Sequence, residues 1–174
     1  MTRVEATGIV EASADDLFHF TEWCYNNTEW LPFISKAWIV KLPRPDGLGE
    51  VTRMQGTMMG RPMEWHGESI RHEPGRFWAM KATSGLPLKY RMQSAMRFMA
   101  VEPRRTQVTF AMEYTVPFPI LGWLMDRFFV KKEARRMIQA AVEALRRLAE
   151  QGGIPRTHDQ LERRKADYPG YSST

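Results

Sequence analysis

The amino-acid sequence predicts an α+β fold, in which one antiparallel β-sheet of about seven strands is combined with two short helices and a long C-terminal helix. Apolar and polar residues alternate with a period of two through most of residues 33–116, and turns rich in glycine and proline interrupt this alternation. Two short aromatic-rich segments precede that region. An apolar stripe with helical spacing follows it.

The length and composition indicate one globular domain. The chain has 174 residues, of which 43% are apolar and 26% are charged, a profile typical of a soluble protein with a substantial core. We expect this domain to span residues 1–152. Residues 153–174 are polar and contain Pro155, Pro169 and Gly170, so we predict a loose tail or a surface strap without a chemical role.

The N-terminal region predicts a strand followed by two short helices. Val4–Val10 is extended in character, and Ser13 is a typical helix N-cap with acidic residues in the turn that follows. A second short helix within residues 21–32 ends at Pro32, because proline disfavours helix in the residue before it.

Six further strands are predicted between residues 34 and 116, separated by turn residues. They are Ile34–Leu42, Glu50–Met59, Met63–His72, Arg76–Thr83, Lys89–Phe98 and Gln107–Val116. The last two alternate most clearly, with one mainly apolar face and one polar face. This indicates that one face of the sheet is covered and the other meets water.

A long amphipathic helix is predicted over residues 120–151. Pro117 and Pro119 end the sheet before it, and Gly152-Gly153 is a typical stop after it. Its polar face is basic and carries Lys131, Lys132, Arg135, Arg136, Arg146 and Arg147.

The charge distribution argues against a nucleic-acid partner. The net charge is +5, but the basic residues are interspersed with acidic ones, and no nucleic-acid-binding motif occurs. No pattern of a signal peptide or a membrane span is present, so we expect a cytoplasmic protein. The single cysteine, Cys24, excludes an internal disulfide and predicts a core or helix-surface thiol rather than a nucleophile.

Several local motifs resemble the START/Bet v 1-like (SRPBCC) superfamily, and in particular its polyketide cyclase/dehydratase-like branch. Residues 10–20 resemble the opening segment of that branch, and Trp30-Leu31-Pro32 resembles the exit from its second helix. Residues 47–50 resemble the glycine-containing start of its third strand, and Glu102–Phe110 resembles its E-P-x-x-x-T-x-V-T-F hairpin. The resemblance covers roughly residues 3–150.

This resemblance implies a helix-grip fold, in which a curved sheet and the long helix enclose an apolar cavity. Members of the superfamily bind lipids, sterols, quinones, polyketides or other apolar molecules, and some carry out cyclisation or dehydration in the cavity. Twelve methionines, whose side chains are flexible, favour a compliant lining. The alternative is ordinary core filling.

The predicted cavity face consists of inward strand residues and facing helix residues. They are Trp38, Trp65, Tyr90, Met92, Ser94, Met96, Phe98, Phe110, Met112 and Tyr114 from the strands, and Met125, Phe128 and Ile138 from the helix. For each of them a plain core position is the alternative. The assignment of Trp38 and Trp65 depends on strand register, since a one-residue slip turns a side chain to the other face.

Four side chains are candidates for chemistry in such a cavity. Tyr90 and Tyr114 would supply phenols, Arg53 a cation, and His66 an imidazole between two acidic neighbours. The alternation of His66 with Trp65 favours an outer surface position instead. We predict no metal, because His66 and His72 share a face of a regular strand but lie about 20 Å apart. We predict no cofactor, since the sequence contains no phosphate-cradling glycine loop.

Three functions follow from these observations. The first is binding of a small hydrophobic ligand such as a lipid, quinone or polyketide, for transport or sequestration. The second is an enzyme of the polyketide cyclase/dehydratase type that uses the same cavity. The third is a lipid carrier whose basic last helix contacts a membrane surface, with Trp123 and Phe129 as anchors.

Overall fold

Seven antiparallel strands form one sheet in the computed structural model, which describes residues 1–58, 60–86, 91–115 and 129–168. Their spatial order is β1-β7-β6-β5-β4-β3-β2. The strands are β1 Thr2–Val10, β2 Ile34–Lys41, β3 Val51–Met58, β4 Arg61–Glu73, β5 Phe77–Ser84, β6 Arg91–Glu102 and β7 Arg105–Thr115. The predicted fold class and the predicted number of strands are therefore confirmed.

Two short helices connect β1 to β2 across the inner face of the sheet. They are α1, Ala14–Glu22, and α2, Asn27–Trp30, joined by a 3₁₀ turn at Cys24–Asn26. Ser13 Oγ accepts a hydrogen bond from Asp16 N at 3.1 Å, so the predicted N-cap is confirmed. The apolar residues Leu17, Phe18 and Phe20 of α1 are buried.

The long C-terminal helix packs against β1 and β7. This helix, α3, spans Lys131–Glu150. Its buried stripe consists of Ala134, Met137, Ile138, Ala141, Val142 and Leu145. The earlier part of the predicted helix, residues 120–128, lies outside the described residues. No helix in the described ranges is long and apolar enough to cross a membrane.

Residues 157–167 form a further helix, where the sequence indicated a loose tail or a strap. This helix, α4, spans Thr157–Asp167 and packs against α1. Asp16 Oδ1 accepts hydrogen bonds from Thr157 N at 2.7 Å and from Thr157 Oγ1 at 2.9 Å. The residues that α4 buries are Gln160 and Arg164. Because both are polar, hydrophobic periodicity gave no signal of this contact.

A bulge in β4 changes which side chains face the helices. Trp65, Gly67 and Ser69 alternate onto the inner face, and the pairing with β5 then shifts between Ser69 and Arg71. The extra residue reverses the alternation, so that His72 faces inward and lies opposite Trp78. The expectation that His66 and His72 share a face is therefore wrong.

Gly8 allows α3 to approach β1 closely. A β-carbon added at Gly8 would lie 2.6 Å from Val142 Cγ1. We expect Gly8→Ala to destabilise the fold by roughly 1–3 kcal/mol, the usual cost of overpacking, in urea unfolding. The cost should shrink in a Val142→Ala background, where the opposing methyl groups are absent. Equal costs in both backgrounds would contradict this account of the helix contact.

Candidate functional site

An apolar cavity lies between the inner face of the sheet and the N-terminal helices. It encloses about 70 Å³ of space that the centre of a water molecule can occupy. Residues of α1, the 3₁₀ turn and α2 form one wall, and β3 to β7 form the opposite wall. In the described part of the chain α3 contributes no lining residue.

The structure places the predicted cavity residues in four groups. Those that line the cavity are Trp65, Met92, Ser94, Phe110 and Met112. Those buried in the same core without lining the cavity are Met96, Phe98, Tyr114 and Ile138. Trp38 lies elsewhere, as described next. Tyr90, Met125 and Phe128 lie outside the described residues.

Trp38 occupies the outer face of the sheet. The pairing of β2 with β3 shifts between Ile34 and Lys36, so that Ala37 rather than Trp38 turns inward. The guanidinium of Arg53 lies 5.1 Å from the centre of the Trp38 ring, an ordinary cation–π contact. The predicted cavity position of Trp38 is therefore wrong, because an additional residue in β2 reverses the alternation of the strand, as one in β4 does before His72.

Two candidates for chemistry also lie on the outer face. Arg53 donates a 2.6 Å hydrogen bond to Glu64, which also accepts one from Gln55 at 2.7 Å. The bonds from Gln55 and Arg53, together with the charge of Arg53, hold the pKa of Glu64 below its usual value. His66 Nδ1 lies 3.0 Å from Ser84 Oγ. Neither Arg53 nor His66 lines the cavity.

One end of the cavity is aromatic and rich in methionine. The ring of Trp30 lies 5.6 Å from that of Phe110 and 6.4 Å from that of Trp78. The four methionines that line this space are Met54, Met80, Met92 and Met112. Trp30 is fully buried, and its Nε1 has no hydrogen-bond partner among the described residues.

The other end of the cavity is polar and centres on the Glu22 carboxylate. His72 Nε2 lies 2.5 Å from Glu22 Oε1, and Arg164 Nη1 lies 3.1 Å from Glu22 Oε2. His19 Nδ1 is 3.5 Å from Oε2. Arg164 is 1% exposed, donates a further hydrogen bond to the His19 carbonyl and stacks on Trp23. Thus α1, β4 and α4 meet at one carboxylate.

Burial, hydrogen bonds and neighbouring charges shift the pKa values of both Glu22 and His72. Burial raises the pKa of Glu22, but hydrogen bonds from His19 and His72 and the charge of Arg164 outweigh it, and the pKa lies far below its usual value. Burial lowers the pKa of His72, but the hydrogen bond and charge of Glu22 outweigh burial and raise it. Each of the two side chains therefore favours the ionised form of the other.

Glu50 is a second acid at the polar end, and its state is different. It lines the cavity, and Thr52 Oγ1 donates a 3.2 Å hydrogen bond to its Oε1. Burial and the charge of Glu22 raise its pKa to about 7. A carboxyl group with this pKa is able to give or accept a proton at neutral pH.

The sequence did not single out this polar cluster. His19 and Glu22 are spaced to share a helix face, but His72 joins them only through the β4 bulge. Arg164 belongs to the polar C-terminal segment, whose composition predicts a tail. Cys24 lines the same region, and burial raises the pKa of its thiol, which matches a core thiol. Within the described ranges, no three or more His, Cys, Asp or Glu side chains are arranged so that they could hold a metal ion.

The basic face of α3 is partly neutralised by its own acids. Arg146 pairs with Glu143 at 2.7 Å and with Glu150 at 2.9 Å, and Arg136 pairs with Glu133 at 2.8 Å. Phe129 is 69% exposed, whereas Trp123 lies outside the described residues. Membrane contact by this helix stays a prediction.

The seven-stranded antiparallel sheet and the long C-terminal helix have the arrangement of the helix-grip fold, and the cavity lies on the inner face of that sheet. A START superfamily protein from Mycobacterium smegmatis has a TM-score of 0.71 at 18% identity, over 86% of this chain and 97% of that chain. A Thermus thermophilus protein has a TM-score of 0.70 at 18% identity, over 87% and 99% of the two chains. The Zhui aromatase/cyclase from Streptomyces sp. R1128 has a TM-score of 0.60 at 20% identity, over 98% of each.

The sequence also matches a described family directly. The profile of the family "Polyketide cyclase / dehydrase and lipid transport" matches residues 1–150, and the chain belongs to this family. No curated protein matches the chain. The resemblance inferred from the sequence motifs is therefore confirmed.

The Glu22 cluster makes stability depend on pH. The contribution of Glu22, whose folded pKa is depressed, is present above its ordinary value of 4.5 and is lost as the pH falls through the folded pKa. The contribution of His72, whose folded pKa is raised, is complete below 6.5 and is lost at higher pH. We expect Glu22→Gln to cost about 3 kcal/mol in urea unfolding, most strongly between these two pH values.

A matched control is available on α4. Glu162 pairs with Lys165 at 2.9 Å on the exposed surface, where ion pairs contribute little. Glu162→Gln should therefore leave the urea midpoint nearly unchanged at every pH. Similar losses in both variants, or a flat pH profile for Glu22→Gln, would show that the buried cluster does not stabilise the fold.

Proposed function

We propose that this protein binds a small hydrophobic molecule, such as a lipid, a quinone or a polyketide, in its internal cavity. The observation that carries the proposal is the cavity wall, which is aromatic and methionine-rich at one end and has a few polar groups at the other. Small-molecule sites in proteins generally have this composition. Membership of a family described by polyketide cyclisation and lipid transport supports it.

Flexible side chains allow the cavity to enlarge around a ligand. The centre of a water molecule can occupy about 70 Å³ of the cavity, and one water needs about 10–15 Å³ of such space. The present space therefore suits only a small molecule. A β-carbon at Gly67 would lie 2.9 Å from Met80 Sδ and 3.0 Å from Met54 Cε. These methionines therefore fill the space above Gly67. Because methionine has three rotatable bonds, other rotamers would open that space.

Filling the cavity should weaken binding. Ala82 lines the cavity opposite Gly67, and Ala82→Leu places three additional carbons there. We expect this variant to bind 2-naphthol at least about tenfold more weakly in titration calorimetry, since the ligand and the new side chain compete for one volume. Native mass spectrometry of gently purified protein would reveal any ligand already bound.

The neighbouring residue provides the control. Thr83 is exposed, so Thr83→Leu adds an apolar side chain at the next position of β5 without entering the cavity. Its affinity for 2-naphthol should stay close to that of the unmodified protein. If Ala82→Leu and Thr83→Leu bind equally well, the probe occupies another site and the proposal is wrong.

A second candidate function is proton-transfer chemistry of the cyclase or dehydratase type on a ligand in this cavity. The favouring observation is that His72 and Glu50 both line the cavity and that the pKa of Glu50 is about 7. In a dehydration, a base removes a proton from the carbon next to a carbonyl group. An acid protonates the leaving hydroxyl, and a carbon–carbon double bond forms as water departs.

A β-hydroxy ketone on a naphthalene ring is a suitable substrate for testing this chemistry. We expect Glu50→Gln to lower its turnover by about a hundredfold or more, the usual contribution of a general acid, while the substrate still binds. Glu68→Gln is the matched control, because Glu68 pairs with Lys81 on the outer face. Turnover that is equal in the two variants would exclude Glu50 as the acid.

A further inference from the structure

We infer that the polar end of the cavity selects apolar molecules that carry a neutral hydrogen-bonding group, such as a carbonyl or a hydroxyl, and excludes anionic amphiphiles such as fatty acids. The inference rests on the proposed function, because it concerns the ligand of the same cavity. It is carried by the way in which the charged groups at this end are paired.

The cations at the polar end are already engaged by Glu22. His72 Nε2 and Arg164 Nη1 approach its two oxygens at 2.5 and 3.1 Å. Arg164 does not line the cavity, and its position is fixed further by the His19 carbonyl and the Trp23 ring. A ligand carboxylate would have to compete with Glu22 for these partners, leaving one of the two acids buried and unpaired.

Glu50 is the acid that remains unpaired. Across residues 1–58, 60–86, 91–115 and 129–168, no basic side chain forms an ion pair with Glu50, and its hydrogen bond comes from the neutral hydroxyl of Thr52. Among the described residues of the cavity wall the one basic side chain, His72, is engaged by Glu22, so none is left to pair with a second negative charge beside Glu50. The repulsion between two neighbouring carboxylates would instead force one of them to take up a proton.

The state of Glu50 shows how this environment treats any carboxylate. Burial and the charge of Glu22 raise its pKa to about 7, although the hydrogen bond from Thr52 and the more distant charges of Arg164 and His72 act in the opposite direction. A ligand carboxylate at the same end would meet the same desolvation and the same charge of Glu22. The charged form of such a ligand is thus disfavoured before any contact with Glu50 is considered.

A neutral polar group, by contrast, finds partners in this wall. Protonated Glu50 donates to a carbonyl or hydroxyl oxygen, and ionised Glu50 accepts from a hydroxyl. The buried Nε1 of Trp30, which has no partner among the described residues, is a further donor on a residue that lines the cavity. Since an unpaired buried donor costs free energy, an acceptor atom on the ligand is favoured over a pure hydrocarbon.

Matched naphthalene probes test the selectivity on one ring system. In titration calorimetry at about pH 7.5, we expect 2-naphthol and 2-acetylnaphthalene to bind at least about tenfold more tightly than 2-naphthoate, because only the last carries a charge into the cavity. Binding of 2-naphthoate as tight as that of 2-naphthol would overturn the inference and leave the proposed function intact. If no probe binds at all, the proposed function fails and the inference fails with it.

The pH dependence identifies the residue responsible. 2-Acetylnaphthalene only accepts hydrogen bonds, so its affinity should fall severalfold between about pH 6 and about pH 8.5 as Glu50 loses its proton. The charged and titratable groups near Glu50 are Glu22 on α1, Cys24 on the 3₁₀ turn, His72 on β4 and Arg164 on α4. Of these, His72, whose pKa is raised above 6.5, also loses its charge as the pH rises.

Glu50→Gln separates the two titrations, because its amide is a donor at every pH and His72 is unchanged. In this variant the affinity for 2-acetylnaphthalene should be independent of pH. A pH dependence that persists in Glu50→Gln would assign the effect to His72 and overturn the role given to Glu50. Thr83→Leu, altered outside the cavity, should reproduce the profile of the unmodified protein.

Discussion

The burial of one carboxylate, that of Glu22, constrains the whole polar end of this protein. A carboxylate withdrawn from water is stable only when hydrogen bonds and opposite charges replace its hydration. Here the replacements come from His72 on the sheet and from Arg164 on the last described helix. A single side chain of α1 therefore links three elements that are remote in sequence, namely α1, β4 and α4.

The same constraint gives the cavity its chemical character. Because Glu22 engages the imidazole and the guanidinium, Glu50 is left beside it with a hydroxyl as its hydrogen-bond donor. Two acids in one small space thus differ in state: Glu22 is held as an anion, whereas Glu50, with a pKa of about 7, is divided between its neutral and ionised forms near pH 7. Packing that stabilises the fold and polarity that suits a ligand arise from the same arrangement.

Much of the fold follows from periodicity that can be read in the sequence. The strands β6 and β7 alternate so regularly that the sequence predicts the cavity positions of their inner residues Met92, Phe110 and Met112, which line the cavity in the structure. Their alternation is uninterrupted because neither strand contains a register shift between residues 91 and 100 or between 106 and 115. Regular strands transmit their facing pattern directly from sequence to structure.

The incorrect predictions for Trp38 and His72 also have a definite cause. One additional residue in β2 turns Trp38 outward, and one in β4 turns His72 inward. A bulge is defined by the hydrogen bonding between two strands, and the local composition of β2 and β4 does not indicate one. The contribution of Arg164 was missed for another reason, since a buried arginine in a polar segment resembles an exposed one until its partner Glu22 is known.

The position of α4 extends the cooperative folding unit of this protein beyond the residues that match the family. The family match stops at residue 150, yet the guanidinium that neutralises a buried acid lies beyond it, at Arg164. A fragment cut at the family boundary would retain every described strand together with α3. It would nevertheless expose one side of α1 and leave Glu22 short of a counter-charge. Amide hydrogens in α1 and α4 should therefore exchange with solvent together. The two helices form one cooperative substructure, although the family match includes α1 and not α4.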